Sequence, residues 1–209
     1  MSIFVIMIVY GASGHGKVII DILESLGQSD ITVWDDEDKL PVWGYPVRRP
    51  LPTLEVNDKI IISMGSNATR KKVVERLGSA VSFGKAIHVA AYVSGRILVI
   101  GEGTVIMAGV IVNPDVSIGR HCIINTGASV DHDCVIGDYV HISPNAALCG
   151  DVHVGEGTQV GAGASVIPGI KIGKWCTIGA GAVVINNIPD YATAVGNPAR
   201  IIKVSEAEE

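Results

Sequence analysis

The stretch Ile118-Gly-Arg-His-Cys-Ile-Ile-Asn-Thr-Gly-Ala-Ser-Val-Asp-His-Asp-Cys-Val-Ile-Gly137 decides the fold. Large aliphatic residues stand at Ile118, Ile124, Val130 and Ile136, and small ones at Cys122, Ala128 and Cys134, four residues after each. Neither a helix with a period of 3.6 nor an ordinary strand with a period of 2 gives this six-residue spacing. Followed outward, the register holds from Ile100 to Val184 with a companion column from Thr104 to Ile188. A hexapeptide period marks a parallel β-helix. In its left-handed form three flat sides make one coil of eighteen residues, so the fifteen hexads predict five coils. The aliphatic residue fills the interior and the small one sits beside it near the corner. Cys122, Cys134 and Cys176 fall in that small inward slot and read as buried apolar groups. Glycine often follows the aliphatic residue, as at Gly101, Gly119, Gly137 and Gly155, where a tight corner is expected to need unusual backbone angles.

Composition agrees with a narrow, regular interior. Of 209 residues 25 are Gly, about 12% against a usual share of roughly 7%, and only 2 are Phe. A charged fraction of 18% and a hydrophobic fraction of 48% exclude a disordered chain. The glycines do not recur every third residue, which excludes a collagen-like one. Net charge is −5, so no basic field recommends nucleic acid or an acidic membrane as partner. The apolar run Ile3 to Tyr10 is far shorter than the ~20 residues needed to span a bilayer and lacks the flanks of a signal peptide. Four cysteines without a C-x-x-C pair suggest no disulfide framework. The expectation is a soluble, cytoplasmic protein.

The first half has a different rhythm. Ile3 to Tyr10 reads as a strand buried on both faces, ending at Gly11. A helix follows with Ile19, Ile22, Leu23 and Leu26 on one side and Gly27 as its C-terminal stop. Ile31 to Trp34 and Lys59 to Met64 are further strands, and Asn67 is expected to cap a helix carrying Val73, Val74 and Leu77 up to Gly78. The four prolines between Pro41 and Pro52 mark a loop or an edge. Strand and helix alternating in this way imply a small parallel sheet, a Rossmann-like α/β domain. The chain therefore divides into an α/β N-terminal domain over 1–85, a connecting segment over 86–99, an all-β left-handed parallel β-helix over 100–189, and a C-terminal segment and tail over 190–209.

Two places carry chemistry. Gly11-Ala-Ser-Gly-His-Gly-Lys17 links a buried strand to a helix. It lacks the Ser or Thr of a P-loop, since Val18 stands there, and its glycines are spaced differently from the dinucleotide fingerprint. Small residues at a helix N-terminus still suit an anion, here a nucleotide pyrophosphate, with a merely tight turn as the alternative. Asp35, Asp36 and Gly65-Ser66-Asn67 end neighbouring strands on the edge where open sheets bind ligands. In the second half His132 lies between Asp131 and Asp133 and points outward. It is either a solvated surface histidine or a general base held by a carboxylate. Gly150, eighteen residues on, lies over it in the next coil with a bare amide for an oxyanion. His141 falls on a different face, where a threefold assembly brings one subunit's His141 near another's His132. Histidines 121, 132, 141 and 153 are spaced eleven, nine and twelve apart, which does not match a zinc set, and His121 and His153 read as solvent-facing corners. No metal is expected.

These motifs, together with Val195-Gly-Asn-Pro-Ala-Arg200, resemble over essentially the whole chain the bacterial nucleotide-sugar acetyltransferases that join a Rossmann-like domain to a left-handed β-helix. That family includes UDP-4-amino-sugar N-acetyltransferases of bacillosamine synthesis and relatives described as sialic acid O-acetyltransferases. The resemblance implies His132 as catalytic base with Asp133 in place of a glutamate, and Gly150 as the amide contacting the acetyl carbonyl. It implies His141, Gly150, Pro198 and Arg200 around acetyl-CoA. Gly11, Ser13, Gly14, His15, Gly16, Asp35, Asp36, Gly65, Asn67 and Arg70 match the nucleotide-sugar pocket. Acetyl-CoA is the implied co-substrate, a nucleotide-linked amino sugar (4-amino-4,6-dideoxy in type) the acceptor, and a homotrimer with inter-subunit sites the implied assembly. The alternatives are an O-acetyltransferase of sialic acid or another sugar and, in a different class, a non-catalytic nucleotide-binding regulatory or scaffold protein.

Overall fold

The computed structural model describes residues 6–50 and 58–206. The expectations for residues 3–5 of the first strand, for 51–52 of the proline-rich stretch and for 207–209 of the acidic tail lie outside the described residues.

The N-terminal half is a five-stranded parallel sheet of β1 (Met7–Tyr10), β2 (Ile31–Trp34), β3 (Val47–Arg48), β4 (Lys59–Ile62) and β5 (Ser82–Phe83), in the order β3-β2-β1-β4-β5. The continuous apolar runs of β1 and β4 are buried on both sides because helices cover both sides. Met7, Val9, Val33 and Ile61 face α1 (Gly14–Ser25), whose Ile19, Ile20, Ile22 and Leu23 lie against them. Ile8, Tyr10, Trp34, Ile60 and Ile62 face the other way, toward Val73 of α2 (Asn67–Leu77). Alternation along a strand sends successive side chains to opposite faces. The strand expected to reach Met64 stops at Ile62, because Ser63 turns its hydroxyl back onto the Gly11 and Tyr10 carbonyls, 2.6 and 2.9 Å away. Helix α2 is capped by Ser66, whose hydroxyl accepts from the Thr69 amide, and not by Asn67, which is its first residue.

The second half is a three-sided parallel solenoid. All of the inward aliphatic residues from Ile106 to Val184, and the small companions from Thr104 to Ile188, are buried. The three narrow-slot cysteines are at most 2% exposed. The stack is taller than the five coils expected. Its first strand is Ala86–Ile87, and its three sheets hold six, five and eight strands, the last of the eight being the antiparallel Arg200–Val204. The aliphatic hexads alone do not reveal that added length. In the first coil Ile87 and Ile100 are only partly buried, and the N-terminal domain sits over that end.

The corner glycines also differ from expectation. Left-handed angles occur not at Gly101 or Gly119 but two residues later, at the fourth position of every hexad from Gly103 to Gly181, which Asp115, His121, Asp133, Tyr139, Asn145, Asp151 and Trp175 share with glycines. The glycine after the aliphatic residue answers to crowding between coils instead. At Gly155 an added methyl would stand 2.6 Å from the backbone of Gly173 and Lys174.

The two halves share one core. Val105, Met107 and Ile123 of the solenoid complete the apolar layer around α1, so the helix is held between the sheet and the prism. This docking fixes the C-terminal edge of the sheet beside one solenoid face.

Candidate functional site

At the C-terminal edge of the sheet the glycine loop, β2 and β4 enclose a crevice of about 400 Å³, lined among others by Gly11, Ser13, Asp35, Asp36, Gly65 and Ser66. The loop's glycines divide by cause. A side chain at Gly11 would strike the Ser63 hydroxyl at 2.7 Å, and one at Gly16 would strike the Gly11 carbonyl, so these two permit close packing of helix on strand. Gly14 and Gly65 face open space, and neither has a packing reason to be glycine. Ser13 caps α1. Asp35 is nearly buried and accepts from the Ala12 amide at 2.8 Å, from the Glu37 amide at 3.0 Å and from Lys39 at 2.9 Å. Its burial opposes ionisation, but Lys39 and the two amides outweigh that and hold the carboxyl below its usual range. Asp36 accepts from the Tyr10 hydroxyl at 2.6 Å and from Arg76 at 2.9 Å, and both hold it ionised, the tyrosine most.

The structure separates Asn67 and Arg70 from this group. Both are buried at the domain junction, and their polar atoms are taken up by protein carbonyls and by each other. His15 and His141 are brought together there. Burial pushes each imidazole down to about 4, the Arg70 charge adds to the effect, and His15 further disfavours charge on His141. His141 Nε2 lies 3.0 Å from the Asn125 amide nitrogen, which makes Nε2 an acceptor. His15 Nε2 and His141 Nδ1 are buried without hydrogen-bond partners. Asn125 had no signal except its place directly after the inward Ile124. His121, expected at a solvent-facing corner, is 1% exposed: its ring meets Phe83 edge-on and stacks on Tyr139, because the N-terminal domain covers that corner. His153 is half-exposed and lies 3.3 Å from Asp151.

His132 stands on another corner, away from the junction, with 59% of its side chain exposed. Asp133 adopts the left-handed angles of the hexad's fourth position, and its Oδ2 comes 2.7 Å from His132 Nδ1. Asp131 accepts from the His132 amide at 2.8 Å and from Asn113, one coil below, at 2.7 Å. The imidazole is held above its ordinary value first by the hydrogen bond to Asp133, then by the Asp131 charge. The ring covers Gly150, where an added methyl would meet it at 2.6 Å. Upward from Gly150 the corner carries Cys149, Ile167 and Ile185, all partly exposed, a column visible in the sequence only through its eighteen-residue spacing. Higher still, the C-terminal turn with Pro198 and Arg200 lies at the top of the face that contains Ser129–Val130, since the Ala199 amide donates to the Val183 carbonyl. Nδ1 facing a carboxylate and Nε2 facing solvent is the arrangement of an imidazole able to accept a proton. Among the described residues no cluster of His, Cys, Asp or Glu could hold a metal ion, and no helix is long and apolar enough to cross a membrane.

Residues 6–77 match the PglD N-terminal domain, and residues 98–132, 133–166 and 151–186 match the bacterial transferase hexapeptide (six repeats). A UDP-N-acetylbacillosamine N-acetyltransferase of Bacillus subtilis (strain 168) is 48% identical over 113 residues, 48% of this chain. The match spans 50% of that curated relative's own length. The acetyltransferase domain of PglB from Neisseria gonorrhoeae FA1090, solved with acetyl coenzyme A, is 36% identical with a TM-score of 0.90, over 94% of this chain and 98% of that one. PerB from Caulobacter crescentus, solved with CoA and GDP-perosamine, is 38% identical with a TM-score of 0.88, over 95% and 97%.

Proposed function

The chain belongs to the bacterial hexapeptide acetyltransferases that carry a PglD N-terminal domain, and we propose that it moves the acetyl group of acetyl-CoA onto the amine of a nucleotide-linked amino sugar. The observation that carries this reading is the His132 ring, tied through Nδ1 to Asp133 and laid across Gly150. With Nδ1–H donating to the carboxylate, the Nε2 lone pair is free to take the proton of the attacking amine. The nitrogen attacks the thioester carbonyl, and the Gly150 amide, which makes no hydrogen bond among the described residues, receives the developing oxyanion. Collapse of the tetrahedral intermediate breaks the carbon–sulfur bond, and the imidazolium returns its proton to the thiolate. A neutral amine is already nucleophilic, so no covalent enzyme intermediate is needed.

The partly exposed Cys149, Ile167 and Ile185 offer an apolar wall for the acyl carrier's arm, leading up toward Pro198 and Arg200. The crevice between Gly11 and Gly65 holds the nucleotide, with the loop amides toward the pyrophosphate and Asp35 and Asp36 at the ribose edge. His132 and the crevice lie on different parts of one chain, so the sugar reaches His132 from another copy. A trimer closes such a site three times over, with His141 and Asn125 of one copy opposite His132 of the next. A 4-amino-4,6-dideoxy sugar is the acceptor we favour, in line with the perosamine and bacillosamine named for the relatives.

The test is thiol release from acetyl-CoA with UDP-, dTDP- and GDP-linked amino sugars. His132→Ala is expected to lower turnover about 10²–10⁴-fold, the usual worth of a positioned base. Near wild-type turnover in that variant removes the assignment, and a monomeric mass in light scattering removes the shared site.

A further inference from the structure

Three backbone carbonyls of the solenoid, those of His121, Tyr139 and Gly157, stand eighteen residues apart in one corner column, one in each of three successive coils. The first turn of α2 engages all three. Arg70 Nε donates to the His121 carbonyl at 2.7 Å and Nη2 to the Tyr139 carbonyl at 2.8 Å, while Asn67 Nδ2 donates to the Gly157 carbonyl at 2.9 Å. The same guanidinium turns Nη1 to the carbonyls of Met64, at 2.8 Å, and Gly65, at 3.4 Å, on the edge of the crevice. Its remaining hydrogen goes from Nη2 to Asn67 Oδ1 at 2.8 Å. All five donors are used, and the residue is 1% exposed. Lys71 continues the contact: its ammonium lies 5.9 Å from the Tyr139 ring centre and 5.4 Å from that of Trp175, and pairs with Glu156 at 2.7 Å. Residues 67, 70 and 71 are one face of a helix.

Stability alone does not account for this. A buried cation facing carbonyls instead of a carboxylate pays desolvation that an apolar side chain of similar volume would avoid. What the arrangement does supply is register. Each donor meets one acceptor, and the acceptors repeat at the coil spacing of roughly 4.8 Å, so α2 docks at a single height. We propose that Arg70 is a positioning residue that fixes the Met64–Gly65 edge of the crevice over the solenoid face bearing His141, and so sets where a sugar held in the crevice presents its amine. The proposal rests on the acetyltransferase reading for its kinetic consequence but not for its geometry.

The test uses full-length Arg70→Met, Arg70→Lys and Asn67→Ala, compared with the unaltered chain by thermal melting, by amide hydrogen exchange over residues 62–67, and by separate KM values for nucleotide sugar and acetyl-CoA. A misplacement of order 1 Å can cost about 100-fold. Arg70→Met, assayed below its melting temperature, is expected to lose about that much in kcat/KM for the sugar and to exchange faster at 63–66. Its KM for acetyl-CoA should stay within about twofold, because the interaction lost is not on that side. Arg70→Lys should recover melting temperature more than kcat/KM, since one ammonium cannot span two coils. A lower melting temperature with unchanged exchange and unchanged sugar kinetics overturns the proposal. Should Arg70→Met not fold, Asn67→Ala, which frees the Gly157 carbonyl and one Arg70 N–H but leaves the Arg70 bonds to His121, Tyr139 and Met64 in place, must show the same split in smaller measure. If the unaltered chain acetylates no amino sugar, the reading of the reaction fails separately. The exchange rates then decide: faster exchange at 63–66 supports the clamp, and unchanged exchange overturns it.

Discussion

The imidazole of His132 lies across the α-carbon of Gly150 in the coil above, so that a methyl group there would stand 2.6 Å from Cε1 and 2.7 Å from Nε2. The obstacle is the free end of a half-exposed side chain, and Gly150 does not need left-handed angles. Gly150→Ala should therefore leave the fold within about 1 kcal/mol of its original stability while displacing the ring. A displacement of order 1 Å predicts a loss of about 100-fold in turnover. Melting curves and thiol release check both halves, and full turnover in the alanine variant would show that the ring position does not matter.

Gly155 gives the opposite outcome from the same substitution. Its methyl would meet backbone atoms of Gly173 and Lys174 at 2.6 Å, and backbone cannot swing aside. Gly155→Ala should cost about 1–3 kcal/mol, the usual penalty for overpacking. Turnover below the lowered melting temperature should stay near the original, since this corner touches neither His132 nor the crevice. Denaturant midpoints measure the loss.

Asp133→Asn tests how the base is tuned. A general base works when unprotonated, so turnover rises as pH climbs through the imidazole's pKa. Asp133, Asp131 and Asp151 all favour the protonated ring, and their sum holds it above the ordinary value. Removing the Asp133 charge and hydrogen bond lowers the pKa, so the rising limb should move to lower pH. The plateau should also fall, because the amide no longer fixes the proton on Nδ1. A pH–rate profile with an unmoved limb would mean that the limb reports another group.

How far the sequence carries differs between these sites. The hexad column revealed the solenoid because burial on three faces forces one residue type into every sixth place. The same logic placed Gly150 over His132 by counting eighteen. It could not place Asn67 and Arg70, which look like ligand donors at the end of a strand. Their partners are main-chain carbonyls at 121, 139 and 157, and a carbonyl leaves no trace in residue identity. His121 departs from its sequence expectation for a related reason: its hexad position is a corner, and only the docked domain with Phe83 makes that corner an interior. The crevice glycines were legible as a cluster. That Gly11 and Gly16 serve packing while Gly14 faces open space depends on atoms from Ser63 and the loop itself.

That open space is itself testable. Gly14→Ala adds a methyl at the first residue of α1 with nothing within 4 Å and no left-handed angle to relieve, so stability should change little or rise slightly. If the loop amides approach a pyrophosphate closely, the methyl must weaken nucleotide-sugar binding, seen as a higher KM with kcat nearly unchanged. Gly16→Ala, which collides with the Gly11 carbonyl, should instead fail in stability first. Equal KM in Gly14→Ala and the unaltered chain would put the phosphates elsewhere in the crevice.

The junction should also respond to acid. His15, His121 and His141 are all held down to about 4, chiefly by burial, whereas an unfolded chain titrates them near 6.5. Between those values the unfolded chain binds more protons than the folded one, so stability rises with pH across the window and falls on acidification from about 6.5 toward 4. Carboxylates titrate in the lower part of the same window, and a variant separates the two contributions. His121→Phe keeps an aromatic ring between Phe83 and Tyr139, gives up an Nδ1 that has no partner, and removes one titrating group. Its melting temperature should fall less steeply between pH 6.5 and 4.5 than that of the unaltered chain, with the two curves converging or crossing at the acid end. Parallel curves would mean that His121 takes up no proton on unfolding in this range, and that its burial is relieved before the fold gives way.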